Sequence, residues 1–401
     1  VWLSFLIAGV VSALLGYTVV KLGVRYPSSG GIIAYLMQGF GNGRLVGIAS
    51  WLGYAAAIVI VCSMVAVSFG SYATSLFVGD DAAGWWDNAF TSAVVVGMAA
   101  INLVGSRIVD KAQTVIVVLL LAVFAVFIAV TIVDIDPDLL AFSGYPSFSK
   151  ILASVALTFF AYLGFSVITF AVGDLRDPAR ELPRAMYGAL GVTTVLYILI
   201  SLGVFGTLTV TEVVGYGETA IAEAARPALG DAGFTIMAVA ALLATSSSVN
   251  ATLYASGGLT AMLAQAGQFP TFFGRGSRLG PHAGLLITGG LVLVIANLVD
   301  LSAIASVGSA ISLVIFLLVG ISAYRLRSEI GALTAVVLAA IALTALVLVF
   351  FAIVTARNSP ETFSAIIVIT ALAVFLDVVW KRVAPEPPPA SGESPPPTPA
   401  V

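Results

Sequence analysis

The residues with the clearest chemical potential interrupt an apolar run, FFAYLGFSVITF, at Gly164 and Ser166. Glycine tolerates unwound backbone, and serine can pair with peptide groups that a break in a helix frees. In hydrocarbon a helix breaks only where protein or a water-filled cavity lines the break. Freed carbonyls suit an ammonium group and freed amides suit a carboxylate. The segment therefore predicts an amino acid site, with these substrate-binding residues: Phe160, Ala161, Gly164, Phe165 and Ser166.

The same residues have a structural interpretation. Glycine in a membrane helix often only permits close packing between helices. Phe160 and Phe165 could equally face lipid or fill the core. The charged loop that follows the span directly, together with the Phe159-Phe160 pair, favours the substrate site over packing alone.

A second polar group lies in TSSSVNATLYAS, residues 245–256. Ser247 and Asn250 are three residues apart on one helix face, with Ser248 beside them. Hydroxyl and amide oxygens are hard ligands of the kind that a sodium ion prefers. Small polar residues also hydrogen-bond between membrane helices. The sequence leaves open whether these three residues bind an ion or hold helices together.

A third group is the charged loop GDLRDPARELPRA. Its acidic and basic side chains recur at spacings of three and four, so a short helix beginning at Pro178 could pair them. The loop is a candidate cytoplasmic gate whose ion pairs form and break, and the alternative is a simple topological anchor. The gate residues are Asp174, Arg176, Asp177 and Arg180.

Composition defines the elements that must position these residues. The chain is 60% hydrophobic and 9% charged, against about 45–50% and about 25% in soluble domains. Its solvent must therefore be a lipid bilayer. A net charge of −3 without a basic tract argues against nucleic acid as a partner. The single Cys62 and single His282 exclude an internal disulfide and a multi-histidine metal site. No catalytic set lies at membrane depth, so we expect no enzyme, catalytic residue, metal or cofactor.

Eleven apolar runs are long enough to cross a membrane as helices. The predicted spans are 2–20, 45–77, 88–104, 112–133, 150–172, 186–208, 232–262, 283–299, 302–322, 331–355 and 362–380. A short interfacial helix is expected at 31–42, and a partly helical connection at 209–231. The Pro-rich segment 381–401 predicts a disordered tail.

The basic residues predict the orientation. If successive spans cross the membrane in opposite directions, fourteen of the 17 Lys and Arg residues lie on one side. The positive-inside rule makes that side cytoplasmic. The C-terminus is then cytoplasmic, in the plasma membrane, and the N-terminus lies outside. The chain opens inside a span at Val1, which indicates an absent beginning, although a valine could also be an alternative start.

Several motifs together resemble the amino acid–polyamine–organocation (APC) permeases. They are LGVRYPSSGG, FFAYLGFSVITFAVGDLRDPARELPRA, SSVNATLYASGGLTAMLAQAGQFP and ASVGSAISLVIFLLVGISAYRLR. The resemblance covers nearly the whole chain. It implies an all-α polytopic LeuT-like fold, with two inverted five-helix repeats followed by two further helices. On that mapping residues 1–380 are the transmembrane domain, comprising family helices two to twelve, and family helix one is missing.

The resemblance implies a secondary transporter that works by alternating access. Members often carry an acidic residue where this chain has Ser166, so a neutral amino acid is the expected substrate. Ser247 and Ser248 lie near the sodium-site positions of this architecture. Some proton-coupled relatives carry a lysine in helix five, but 115–124 has no ionisable residue and no charge lies deep in any span. The coupling ion, Na⁺ or H⁺, therefore stays open, with sodium coupling, exchange or facilitated diffusion favoured over proton symport.

Two other interpretations remain. Half of the expected site would lie in family helix one, so this chain could be an inactive fragment of a transporter. It could also be a non-transporting membrane sensor or accessory protein. The sequence predicts no oligomeric state.

Overall fold

Helices form every regular element in the part of the chain that the structure describes. The structure is a computed structural model, and it describes residues 1–28, 30–79, 83–104, 109–133, 135–141, 145–273, 280–299 and 301–383. The α-helices are α1 (Trp2–Arg25), α2 (Gly31–Phe40), α3 (Arg44–Tyr54), α4 (Val61–Phe77), α5 (Trp85–Val104), α6 (Val109–Val133), α7 (Phe148–Phe160), α8 (Pro178–Thr207), α9 (Val210–Tyr216), α10 (Ala220–Glu223), α11 (Arg226–Gln265), α12 (Ala283–Leu298), α13 (Leu301–Arg325), α14 (Thr334–Asn358) and α15 (Pro360–Val383).

Two segments between these helices are also helical, but their hydrogen bonds join residues at a different spacing from those of an α-helix. A π-helical turn, Ala55–Ile60, joins α3 to α4, and a long 3₁₀ segment, Leu163–Asp174, follows α7. Short 3₁₀ turns occur elsewhere, at Pro137–Leu140, Gly217–Thr219, Thr271–Phe273 and Gly280–His282.

Ten helices in the described ranges are long and apolar enough to cross a membrane. They are α1, the continuous α3–α4 unit, α5, α6, α7 with its 3₁₀ extension, α8, α11, α13, α14 and α15. Each overlaps one of the predicted spans. The eleventh predicted span, 283–299, corresponds to α12, which has only 16 residues. The 3₁₀ turn just before α12 adds three residues to its length.

The other predicted segments differ from the observed helices at their ends. The interfacial helix predicted at 31–42 is α2, and the connection at 209–231 contains α9 and α10. The last helix continues to Val383, so the first residues of the predicted tail are helical. Residues 384–401 of that tail lie outside the described residues.

A stripe of glycines brings α1 against α8. Gly9, Gly16 and Gly23 are seven residues apart and share one face of α1. A Cβ added at Gly9 would lie 2.7 Å from Thr194, and one at Gly23 would lie 2.8 Å from Leu182. Those α8 residues belong to one ridge of side chains at intervals of four, 182, 186, 190 and 194. Because glycine has no side chain, these positions leave a groove on α1. The α8 ridge fills this groove, as is common between membrane helices.

The connection between α8 and α11 packs as a small helical cap. Thr209 and Glu212 form a reciprocal capping box that begins α9. The Ser71 hydroxyl of α4 donates to the Glu218 carboxylate at 2.5 Å. Further along, the Arg226 guanidinium lies 2.9 Å from the buried Glu223 carboxylate. These contacts tie the connection to the end of α4 and to the start of α11.

The Glu218 carboxyl makes the cap sensitive to pH. Burial raises its pKa above the ordinary value; the Ser71 hydrogen bond lowers it, and the Asp87 carboxylate raises it further. Because the folded pKa is raised, this group's stabilising contribution is fully present below its ordinary pKa and is lost as pH rises through the folded value. We expect Glu218→Gln to increase thermal stability in detergent near neutral pH, with the gain shrinking toward about pH 4.

Glu212→Gln is the matched control. Hydrogen bonds from Thr209 lower the pKa of the exposed Glu212 carboxyl, so its stabilising contribution is present above its ordinary pKa and is lost as pH falls. The two variants should therefore change the pH–stability curve in opposite directions. Parallel curves for wild type and Glu218→Gln would contradict the assignment.

A buried ion pair fastens α15 to α3. Asp377 is fully buried, and the Lys381 ammonium lies 2.9 Å from its Oδ1. The same ammonium donates to the Gly43 carbonyl at 3.2 Å. The carboxylate rests against Gly47, where a side chain would collide with it. A second polar attachment of the last helix is the Trp380 indole, which donates to the Gly267 carbonyl at 3.0 Å.

Candidate functional site

The helix that carries the predicted substrate residues changes pitch at their position. α7 ends at Phe160. The next amides donate three residues back, from Ala161 to the Thr158 carbonyl, from Tyr162 to Phe159 and from Phe165 to Tyr162. The chain then continues as the 3₁₀ segment to Asp174. The predicted unwound turn is therefore a tightened helix instead, in which the amides of Ala161, Tyr162 and Phe165 are paired.

Side chains from two other helices hold this junction. The Tyr197 hydroxyl of α8 donates to the Ala161 carbonyl at 2.8 Å. The Tyr162 hydroxyl donates to the Phe5 carbonyl of α1 at 3.0 Å. The Tyr197 ring lies 5.0 Å from the Phe5 ring and 5.1 Å from the Tyr162 ring. One carbonyl at the pitch change thus has a protein partner, so Ala161 does not offer that oxygen freely to a substrate.

The predicted residues divide by their position around the 3₁₀ segment. A 3₁₀ helix has three residues per turn, and Ala161, Gly164 and Val167 form its exposed face. A Cβ added at Gly164 would meet nothing within 4 Å. Gly164 therefore borders open space, and the packing interpretation of this glycine does not describe its surroundings.

The two phenylalanines pack within the core. Phe165 is 8% exposed and its ring lies 5.2 Å from the Phe316 ring. Phe160 is 6% exposed, and it fills the space beside Gly308, where a side chain would collide with it. Neither phenylalanine lines the cavity described next.

A cavity opens beside the 3₁₀ segment. Segments from five parts of the described chain enclose it: α2, the α3–α4 unit, the 3₁₀ segment, α11 and α13. The lining residues are Ile32, Gly53, Ala56, Ala57, Ile58, Val61, Leu163, Gly164, Ser166, Val167, Thr252, Ala255, Ser312, Ile315 and Phe316. None of these residues is charged. A concave, mainly apolar cavity with a few polar groups is typical of a small-molecule site.

Three hydroxyl groups supply the side-chain polarity of this cavity. Ser166 donates to the Leu163 carbonyl at 2.9 Å, and Thr252 donates to the Ser248 carbonyl at 2.8 Å. Ser312, on α13, is the third and is 4% exposed. Only Ser166 was named from the sequence. Thr252 belongs to the polar run 245–256, so its polarity in an apolar span was a signal that could have identified it.

The π-helical turn forms another wall, and the sequence did not reveal it. Its residues, AAAIVI, include no glycine, proline or polar side chain that would mark an irregularity. The span 45–77 therefore read as an uninterrupted helix. π-Helical turns within α-helices often occur at functional sites.

The candidate ion residues face a different set of helices. The Ser247 hydroxyl donates to the Gln113 side-chain oxygen of α6 at 2.6 Å. The Asn102 amide of α5 donates to the Asn250 side-chain oxygen at 2.8 Å. Ser247, Ser248 and Asn250 do not line the cavity. Gln113 and Asn102 were missed, although each is a polar residue close to the end of a predicted apolar span.

The charged loop lies at the surface. The Arg180 guanidinium is 3.7 Å from the Asp177 carboxylate, with the two side chains 78% and 49% exposed. The Arg176 amide donates to the Glu181 carboxylate at 3.2 Å. The helix that begins at Pro178 is α8, with 30 residues instead of a short turn. Asp174 ends the 3₁₀ segment, and its side chain lies outside the described part of the structure. Exposed pairs of this kind contribute little to stability.

Comparison with known proteins identifies the family of this chain. Residues 1–376 match the family model described as amino acid permease. The chain is 29% identical over 381 residues to the inner membrane transport protein YbaT of Escherichia coli (strain K12), covering 95% of this chain and 88% of that protein. Identity to the methylthioribose transporter of Bacillus subtilis (strain 168) is 27% over 350 residues, covering 82% and 73%. Identity to the serine/threonine exchanger SteT of the same organism is 25% over 274 residues, covering 67% and 60%.

Proposed function

Because this chain belongs to the amino acid permease family, we propose that it is a secondary transporter that moves a neutral amino acid across the plasma membrane. Membership and the names of the relatives indicate a multi-pass membrane transporter of small molecules, not an enzyme. The substrate binds in the cavity beside Gly164. Alternating access exposes that cavity to each side in turn, and the C-terminus lies in the cytoplasm, the side with most basic residues.

The uncharged lining of the cavity is the observation that carries this proposal. A cationic or anionic side chain would lose its water there without gaining a charged partner. The ammonium and carboxylate of the amino acid itself can be stabilised by helix dipoles and hydroxyl groups. The Ser166 and Thr252 hydroxyls donate to the Leu163 and Ser248 carbonyls, so their oxygens can accept from the ammonium. The Ser312 hydroxyl and the start of the 3₁₀ segment support the carboxylate.

Uptake into liposomes tests the proposal. Purified, reconstituted protein is expected to accumulate radiolabelled neutral amino acids, and unlabelled neutral amino acids should compete while lysine and glutamate should not. Methylthioribose, the substrate named for one relative, is also uncharged and belongs in the competitor panel. Uptake of lysine or glutamate at the rate of neutral amino acids would contradict the proposal.

We propose that the polar run on α11 packs helices instead of binding sodium. The hydrogen bonds of Ser247 to Gln113 and of Asn250 to Asn102 support this role. Replacing external sodium with choline at constant pH is expected to leave uptake unchanged. Ser247→Ala is expected to lower thermal stability by about 1 kcal/mol without changing ion dependence.

Ser246→Ala is the control for that experiment, since its hydroxyl donates only within its own helix, to the Leu243 carbonyl. It should affect stability less than Ser247→Ala. Loss of uptake in choline, with restoration by sodium, would instead make Ser247, Ser248 and Asn250 an ion site.

A further inference from the structure

Three consecutive residues of the π-helical turn line the cavity: Ala56, Ala57 and Ile58. In an α-helix successive residues are rotated by about 100°, so three in a row cannot share one face. A π-turn closes its hydrogen bonds five residues apart and is wider. Successive residues of a π-turn are therefore rotated by less than in an α-helix, and all three of these residues border the cavity. We call Ala56, Ala57 and Ile58 the π-wall.

The π-wall combines small and bulky apolar groups. Ala56 and Ala57 leave space near Gly53, while Ile58 is 2% exposed and lies beside the cavity. Elsewhere the same cavity is lined by Ile32, Ile315 and Phe316. The hydroxyl groups belong to the 3₁₀ segment, α11 and α13 and not to the π-wall. The π-wall is therefore a part of the lining without a hydrogen-bonding side chain, which divides it from the segments that carry the hydroxyls.

This division matches the two ends of an aliphatic amino acid. Its ammonium and carboxylate need the hydroxyls and helix ends near Ser166, while its side chain gains by leaving water against apolar atoms. A hydroxyl or charged side chain placed against alanine and isoleucine would lose hydrogen bonds to water without replacement.

We propose that the π-wall determines substrate specificity: it selects aliphatic side chains of the size of leucine, isoleucine or methionine, and Ala57 sets the upper limit. This inference rests on the proposed function, since it names the substrate class of that same cavity. Ala57 is half-buried and borders the cavity, so a change of its size alters the space left for the substrate side chain.

Ligand binding to the purified protein in detergent tests the inference apart from transport. Radiolabelled leucine is the probe, with alanine, serine, phenylalanine and lysine as competitors. Leucine should bind about tenfold more tightly than serine, and lysine should not compete, since pockets discriminate such differences by about 10–200-fold. Equal affinity for serine and leucine would overturn the inference.

Two variants change the size limit in opposite directions. Ala57→Leu should weaken leucine binding about tenfold and affect alanine binding much less. Ala57→Gly should instead strengthen phenylalanine relative to leucine, and it removes atoms, so it does not depend on tolerating a larger side chain. Ala55→Leu is the control on the same turn, because Ala55 does not line the cavity; it should leave the leucine-to-alanine ratio unchanged.

The outcomes separate the inference from the proposed function. If wild-type protein transports neutral amino acids but neither Ala57 variant changes the affinity ratios, the π-wall assignment is wrong and the permease proposal stands. If leucine binds with the expected preferences but no amino acid is taken up into liposomes, the inference stands and the transport proposal fails. Absence of leucine binding overturns the inference.

Discussion

Replacement of Gly164 by leucine is expected to reduce uptake at low substrate concentration about ten- to hundredfold while leaving the protein folded and normally expressed. A Cβ at this position meets nothing within 4 Å, so the new side chain enters the open space of the cavity and does not displace a neighbouring helix. A substrate forced against it would lose about 1–3 kcal/mol, which is roughly a ten- to hundredfold loss of affinity. Liposome uptake and size-exclusion profiles of the purified variant measure the two effects separately.

Gly191→Leu provides the matched control. Gly191 lies on an exposed face of α8, a Cβ there also meets nothing within 4 Å, and the residue does not line the cavity. The same chemical change should therefore leave uptake close to the wild-type rate. Normal uptake by Gly164→Leu would refute the assigned substrate site, whatever the control shows.

Lys381→Met is expected to be among the most destabilising single changes at the C-terminal end of α15. It leaves the fully buried Asp377 carboxylate without its only ion-pair partner in the described chain. Breaking a buried pair by removing one member costs about 3–5 kcal/mol, because a charge then stays buried without compensation. Thermal unfolding in detergent, followed by tryptophan fluorescence, should show a clear loss of stability.

The double variant Asp377→Asn, Lys381→Met tests that explanation. Asparagine keeps the shape of the side chain against Gly47 but removes the charge, so most of the lost stability should return. Arg382→Met removes the same charge from the next residue, which is exposed, and should have little effect. If the double variant is as unstable as Lys381→Met, loss of the methylene packing of the lysine, not an uncompensated charge, explains the result.

The spans could be predicted because the signal for them is local. Twenty consecutive apolar residues identify a membrane helix whatever surrounds them, and ten helices of the described chain overlap predicted spans. The weakest agreement is at α12, whose 16 residues are fewer than those of each of the ten spanning helices. The short helix α2 was predictable for a similar reason, since the turn residues before it precede a short apolar run.

The candidate site was predictable only where the sequence interrupts its own pattern. Gly164 and Ser166 are small or polar residues in an apolar segment, and both border the cavity. The unwound turn expected between them is a 3₁₀ helix, because peptide groups without water pair at the nearest available acceptor. Phe160 and Phe165 could not be placed from the sequence, since their contacts with Gly308 and Phe316 come from α13.

By itself the sequence determined that this protein is an all-helical membrane protein of the permease type, where its spans run, and which of them contains a substrate-site candidate. Those properties follow from hydropathy, charge and motifs that each reside in one continuous segment. Only the tertiary structure decided that Ala57 and Ser312 share a cavity with Gly164, and that Ser247 pairs with Gln113. Such contacts depend on which helices pack together and on how each helix is rotated about its axis. The local sequence around two residues more than a hundred positions apart does not specify that arrangement.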